Sequence, residues 1–275
     1  MTRAAESAER TSWLQLIHEG HRRRNRVETG FVWITRFALL AVFFGLWELA
    51  GWQRWIDVLL FSYPSKIVKL LVQKLMDGSL LPHVGMTVLE TAAGFALGTL
   101  CGTLLAILLW SSRFLARTLD PFIVVLNSMP KVALGPLFIV GIGPNIMSII
   151  ATTLAITVII TTLVVLSSFR EVDANYVKVV RVFGGTRAQT FRKVILPASI
   201  PTIVSTLKVN VGLAWVGVIV GEFLVSKAGL GYLIIYGFQV FNFTLVIGSL
   251  FVIAIVATVM YQAVSYLEKK LEKRQ

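Results

Sequence analysis

The sequence predicts an all-α membrane protein with six transmembrane helices, and three observations carry that expectation. Hydrophobic residues make up 56% of the 275, charged residues only 15%, and the mean hydropathy is +0.78. A soluble domain averages about 45–50% apolar and about 25% charged. The apolar excess is gathered into runs that reach the roughly 20 residues needed to cross a bilayer as a helix. Lysine and arginine, finally, are distributed unevenly between alternate connecting segments.

Residues 1–30 are polar and charged, with Arg22, Arg23, Arg24 and Arg26 ahead of the first apolar run, so they are expected to form a cytoplasmic tail. Within it Trp13, Leu14, Leu16 and Ile17 suit either a short amphipathic turn at the membrane surface or a disordered tail. The first span covers 31–50. An external segment follows over 51–83, in which Pro64-Ser65 is expected to start a helix with Ser65 as N-cap, and Gly78 to stop it. Ile67, Leu70, Leu71 and Leu75 recur at helical spacing, which predicts an amphipathic helix lying on the bilayer.

The main membrane core is expected over 84–266. Its second span runs over 84–110, where Gly94, Gly98 and Gly102 share one face and offer a close-packing stripe. The third span, 121–140, contains Pro130 and Pro136, each expected to bend it. The fourth, fifth and sixth spans cover 146–169, 200–224 and 244–266, and a cytoplasmic tail follows over 267–275.

Of the 26 lysines and arginines, eighteen fall in segments 1–30, 111–120, 170–197 and 267–275. Five fall in the alternate segments, and Arg36, Lys131 and Lys208 lie within spans. The positive-inside rule then puts both termini of a multi-pass membrane protein in the cytoplasm. Sidedness accounts for the net charge of +12 without a nucleic-acid partner.

Several chemistries are excluded. Cys101 is the single cysteine, so no internal disulfide forms. His18, His21 and His83 make no metal-ligand set. No glycine is followed by lysine, so the chain has no phosphate-binding P-loop. No clustered acid, base or nucleophile marks a catalytic site, and no catalytic, cofactor or metal residue is expected.

The segment 170–197 carries the most information. Helical patterning from Val172 to Arg181 is broken by Gly184-Gly185. Thr186 then suits the N-cap of a second short helix over 187–195, ending at Leu196-Pro197. Two short helices about a glycine hinge would form a rigid knob facing the cytoplasm.

Phe183-Gly184-Gly185-Thr186, followed by Phe191-Arg192-Lys193-Val194-Ile195-Leu196-Pro197, resembles the cytoplasmic "EAA" loop of binding-protein-dependent ABC importer permeases. Gly184, Val194 and Leu196-Pro197 keep that loop's spacing. Tyr63-Pro64-Ser65, Gly94-Phe95-Ala96-Leu97-Gly98, Asp120-Pro121, Met129-Pro130, Gly135-Pro136-Leu137, Gly141-Ile142-Gly143, Gly221-Glu222 and Gly229-Leu230-Gly231-Tyr232 extend the resemblance. Together they look like the nitrate/sulfonate/taurine/bicarbonate branch. The resemblance implies a type I ABC importer (MetI-like) permease fold with a cytoplasmic coupling-helix loop. It implies a separate ABC ATPase subunit carrying ATP and Mg, an extracytoplasmic substrate-binding protein, and a second permease copy. A homodimer is the economical arrangement, since two ATPase subunits need two knobs; a heterodimer with another permease satisfies the same arithmetic.

Carried onto this chain, the coupling residues are Lys178, Arg181, Phe183, Gly184, Gly185, Thr186, Phe191, Leu196 and Pro197. The departure is Lys178-Val179-Val180 where relatives read Glu-Ala-Ala, which sets Lys178 opposite an acidic or neutral position on the ATPase.

Ionisable groups inside spans are costly, so each calls for a role. Asn127, Met129, Lys131, Lys208 and Trp215 are the candidates for a translocation path favouring an anion. In the alternative reading Lys131 pairs with a carboxylate such as Glu90, and Lys208 snorkels to the interface. The cargo stays open between oxyanions and organic solutes such as vitamin precursors. A secondary transporter is the rival class; it would show inverted repeats and paired intramembrane charges, which one asymmetric loop fits poorly.

Overall fold

A computed structural model of the chain describes residues 30–225 and 227–272, all helix and connection with no strand among them. The tail expected over 1–29, with its Trp13–Ile17 turn, and residues 273–275 lie outside the described residues. The chain divides into two units, Met1–Lys66 and Ile67–Gln275.

In the first unit, α1 (Gly30–Trp52) is a membrane-length helix. A four-residue turn of helix, α2 (Val58–Phe61), is capped by Asp57, whose side chain accepts the Leu59 N–H. The next helix, α3 (Pro64–Met76), begins two residues earlier than an N-cap at Ser65 would allow, with Pro64 as its first residue. Proline suits that position because the amide it lacks would have no partner. Ser65 is therefore inside the helix and is not its N-cap. The cap is Glu48, whose carboxylate accepts both the Ser65 N–H (2.9 Å) and its hydroxyl (2.6 Å). A carboxylate is favoured there by the helix dipole. Gly78, at φ +74°, ends α3 as expected.

In the second unit, the α3 face bearing Ile67 and Leu71 packs at Gly248 of the last helix, so this amphipathic face is turned into protein. The long helices are α4 (Leu80–Ser111), α7 (Ile146–Glu171), α10 (Leu196–Val225) and α12 (Phe243–Glu272). Where a tail was expected from 267, α12 simply continues to Glu272.

The α4–α7 contact is the centre of the bundle, and the glycine stripe makes it. A Cβ on Gly94 would lie 2.9 Å from Thr153 Cβ, one on Gly98 2.7 Å from Thr157 Cβ, and one on Gly102 2.5 Å from Thr161 Cβ. The stripe meets a facing threonine stripe one turn at a time. The α7 threonine hydroxyls donate to carbonyls four residues back, so they are buried without loss: Thr153 to Ile149, Thr157 to Thr153, Thr161 to Thr157. Two apolar clusters close the ends: Ala106, Leu109, Val165, Leu166, Phe169 and Ile195 at one, and Leu80, Val211, Trp215, Leu230 and Leu233 at the other.

The third span departs most from expectation. Helix α5 (Arg113–Ser128) is capped by Ser112, whose hydroxyl accepts the Leu115 N–H, so 113–120 is helical and Pro121 sits within the helix. Pro130 forces the preceding Met129 into extended backbone (ψ 143°), which ends α5. A 3₁₀ turn, Lys131–Leu134, then leads into α6 (Gly135–Ile142), and the two halves meet at 96°. Pro136 bends nothing; it occupies the first turn of α6, where a missing amide is harmless.

A further helix, α11 (Leu230–Gln239), lies in what reads as an outer loop. At ten residues it is too short to register as a span.

Candidate functional site

The segment between α7 and α10 folds as a knob, built differently from two separate helices. Its first helix, α8 (Ala174–Val182), is capped by Asp173, whose side chain accepts the Asn175 N–H at 2.8 Å. It ends in a Schellman turn: the Gly184 N–H bonds the Arg181 carbonyl and the Gly185 N–H the Val180 carbonyl, both at 2.9 Å. Gly184 takes φ +73° there, as a glycine hinge requires.

Thr186 caps the next helix, α9 (Arg187–Thr190), with a full capping box: its hydroxyl accepts the Gln189 N–H and Gln189 Oε1 accepts the Thr186 N–H. The expected stop at Leu196-Pro197 is absent. One continuous helix runs from Arg187 to Val225, widened to a π turn over Phe191–Ile195. The reason lies in Pro197: it has no N–H for a carbonyl four residues back and its ring crowds that carbonyl, and the widened turn before it makes room.

Phe191 anchors the knob to the bundle. Its ring lies 4.8 Å from that of Trp110 and 5.4 Å, edge-on, from Phe169. Arg187 stacks over Trp110 (5.2 Å) and donates to its carbonyl (2.7 Å). With the knob held, the two faces of α8 separate. Tyr176, Val179, Val182 and Phe183 point away from the protein, at 64%, 55%, 83% and 86% exposure. Lys178 and Arg181, themselves exposed, line a cavity against the bundle. Leu196 is half-buried and Pro197 exposed on α10. Of the residues singled out from the sequence, only Phe183 belongs to the outward apolar face. Tyr176, Val179 and Val182 were missed, although their three-residue spacing is readable in the sequence.

The intramembrane candidates fall into separate places. Lys131 reaches back across the Pro130 break, donating to the Asn127 carbonyl (2.8 Å) and its side-chain oxygen (3.4 Å). It thereby caps the last turn of α5, where a cation is favoured by the dipole. Asn127, Met129 and Lys131 are thus one exposed or half-exposed group at the bend. Lys208 forms an ion pair with Glu268 of α12, so it is bonded within the bundle. Trp215 is 6% exposed among Leu80, Val211, Leu230 and Leu233. A path residue must be reachable, and Trp215 is core.

Glu90 does not pair with Lys131. It is buried beside the Glu222 carboxyl. Glu222 Oε1 accepts the Thr87 hydroxyl (2.6 Å) and Oε2 the Gly231 N–H (2.5 Å). Thr87 in turn accepts the Leu230 N–H (2.8 Å), and His83 Nδ1 the Gly229 N–H (3.1 Å). The glutamate therefore caps α11 from within the bundle. A Cβ on Gly229 would strike the Glu222 carboxylate, and one on Gly231 would lie 2.8 Å from it, which explains both glycines of Gly229-Leu230-Gly231. Asn210, fully buried, donates to Thr99 and Thr161, both at 2.8 Å, tying α10 to α4 and α7. Neither hub was read as such from the sequence; the Gly221-Glu222 and Gly229-x-Gly motifs were its only trace.

Comparison with known proteins adds the family. Residues 98–274 match the family described as binding-protein-dependent transport system inner membrane component. SsuC of Bacillus subtilis (strain 168), named as a candidate aliphatic sulfonates transport permease protein, is 31% identical over 88% of this chain and 87% of its own. The formylaminopyrimidine transport permease protein ThiX of Halalkalibacterium halodurans is 26% identical over 82% of this chain and 90% of its own. The nitrate import permease protein NrtB of Synechocystis is 28% identical over 65% of each. Among solved structures, an inward-facing MetNI methionine ABC transporter chain overlays with TM-score 0.62 at 20% identity, covering 70% of this chain and 95% of that one. A bacterial alginate-importing ABC transporter chain gives 0.63 at 14% identity, covering 90% and 99%.

Proposed function

The chain belongs to the family of inner-membrane permease components of binding-protein-dependent ABC importers, and on that premise we propose that it forms the translocation path for a small oxyanion and is driven through the 170–197 knob. The observation that carries the proposal is the outward face of α8. Tyr176, Val179, Val182 and Phe183 form an exposed apolar surface on an element that is capped at both ends and stacked onto the bundle. An aromatic-rich exposed patch on a rigid element suits a protein partner. The partner proposed is an ATPase subunit, which supplies ATP and Mg; closure of two such subunits would move two knobs and tip the bundle between states. A homodimer, a binding protein on the opposite side and cytoplasmic termini complete the arrangement.

Lys178, exposed and one turn before Val182, lines the cavity behind α8 and stands at the edge of this contact. The oxyanion class is supported by relatives named for sulfonates and nitrate, with Asn127 and Lys131 as the exposed polar group at the α5–α6 bend. An organic cargo is the second reading, favoured by the relative named for formylaminopyrimidine.

The test is co-purification of the tagged chain, followed by ATPase assay in lipid, with and without Phe183→Ala and Gly184→Pro. Equimolar recovery of an ATP-binding subunit, reduced by Phe183→Ala and abolished or uncoupled by Gly184→Pro, supports the proposal. Recovery of the chain alone, still able to move solute, would point to a secondary transporter.

A further inference from the structure

Between α8 and the ends of α4, α5 and α7 lies a cavity of about 570 Å³. Arg113, Arg170, Lys178, Arg181 and Arg187 line it, and no carboxylate does. Arg187 is held by Trp110, but among the described residues none of Arg113, Arg170, Lys178 and Arg181 has a carboxylate partner. Asp173 caps α8, Glu171 accepts the Ser167 hydroxyl, and Asp120 lines a separate pocket with Arg117 and Arg170, forming an ion pair with neither. Like charges gathered around one space repel unless an anion lies among them, and guanidinium groups match phosphate oxygens in pairs.

The depth of the cavity points to the source of that anion. Its floor is Leu109, Phe169 and Ile195, at the ends of membrane-crossing helices, and Trp110 forms part of its wall. Tryptophan at the ends of spans marks the headgroup level, and basic pockets between helices at that level suit lipid headgroups. We propose that this cavity binds the phosphate of an anionic phospholipid headgroup, held by Arg113, Arg170, Lys178 and Arg181. The lipid fills the space behind α8 and so fixes the angle at which Tyr176, Val179, Val182 and Phe183 are presented. This reading stands on the bundle alone and needs no ATPase.

The experiment follows the thermal stability of the purified full chain in neutral detergent during titration with short-chain phosphatidylglycerol or phosphatidylcholine of equal chain length. Ligand that binds the folded state raises Tm with concentration. Phosphatidylglycerol is expected to act at lower concentration than phosphatidylcholine. Arg113→Gln/Lys178→Gln should weaken it about thirtyfold, about fivefold for each cation removed. Arg170→Gln/Arg181→Gln should do the same, which guards against one pair failing to fold. Lys66→Gln/Lys69→Gln removes equal charge from α3 and should change nothing. Equal loss in the α3 variant, or an unchanged preference in both cavity variants, overturns the site. Displacement of phosphatidylglycerol by millimolar inorganic phosphate overturns the lipid source in favour of a free oxyanion. Loss of ATPase recovery in the cavity variants with lipid preference intact would assign the cations to the protein partner instead.

Discussion

The turn that ends α8 holds two glycines for two different reasons, and substitution separates them. Gly184 sits at φ +73° with no heavy atom within 4 Å of where a Cβ would stand, so its constraint is purely one of backbone conformation. Alanine there costs about 1 kcal/mol, whereas asparagine visits this region readily and should be close to neutral. Gly185 has ordinary backbone but no space: a Cβ would lie 2.7 Å from the Val180 carbonyl oxygen and strike Val180 Cγ1 as well. That carbonyl accepts the Gly185 N–H, so it cannot retreat without opening the turn. Overpacking of this kind costs about 2 kcal/mol. Trypsin reads the difference, because Lys178 and Arg181 lie inside α8 and cleavage there needs local opening. At about 1.4 kcal/mol per tenfold, Gly184→Ala should be cut about five times faster than the parent and Gly185→Ala about thirty times faster. Adding Val180→Ala should recover only part of the second effect, since the carbonyl contact remains. If Gly184→Asn is cut as fast as Gly184→Val, or Gly185→Ala more slowly than Gly184→Ala, this account of the turn is wrong.

Gly98→Ala should destabilise the α4–α7 contact by about 2 kcal/mol, seen as a lower Tm. Gly212→Ala, with nothing within 4 Å, should raise it, because alanine is the better helix former. Glu222→Ala removes the acceptor of the Gly231 N–H and the Thr87 hydroxyl, so it should cost about 2–3 kcal/mol and speed amide exchange at 229–233. Unchanged exchange there would detach Glu222 from the capping of α11. Lys208→Ala strands Glu268, which is 3% exposed, and should cost about 3 kcal/mol; Lys208→Ala/Glu268→Gln should recover most of it in the same thermal assay. A double variant no better than the single would show that the pair is not what Lys208 contributes.

The membrane class, the long spans, the glycine stripe and the glycine turn with its Thr186 cap are all legible in the amino-acid order alone. These rest on local physics: apolar length against bilayer thickness, a four-residue repeat on one helix face, and a positive φ that glycine tolerates. Prolines were legible as disturbances but not in kind. Pro130 breaks a span at 96°, Pro136 opens a helix and Pro197 is absorbed in a π turn, because the outcome depends on which carbonyl each ring meets. The partners of buried polar groups were also beyond reach. Glu222 lies 135 residues from Thr87, Lys208 pairs with Glu268 and Asn210 spans three helices, contacts that exist only once the bundle has closed. The same holds for α8: its nine residues carry both an apolar and a basic face, and only the Trp110–Phe191–Phe169 stack decided which one turns outward.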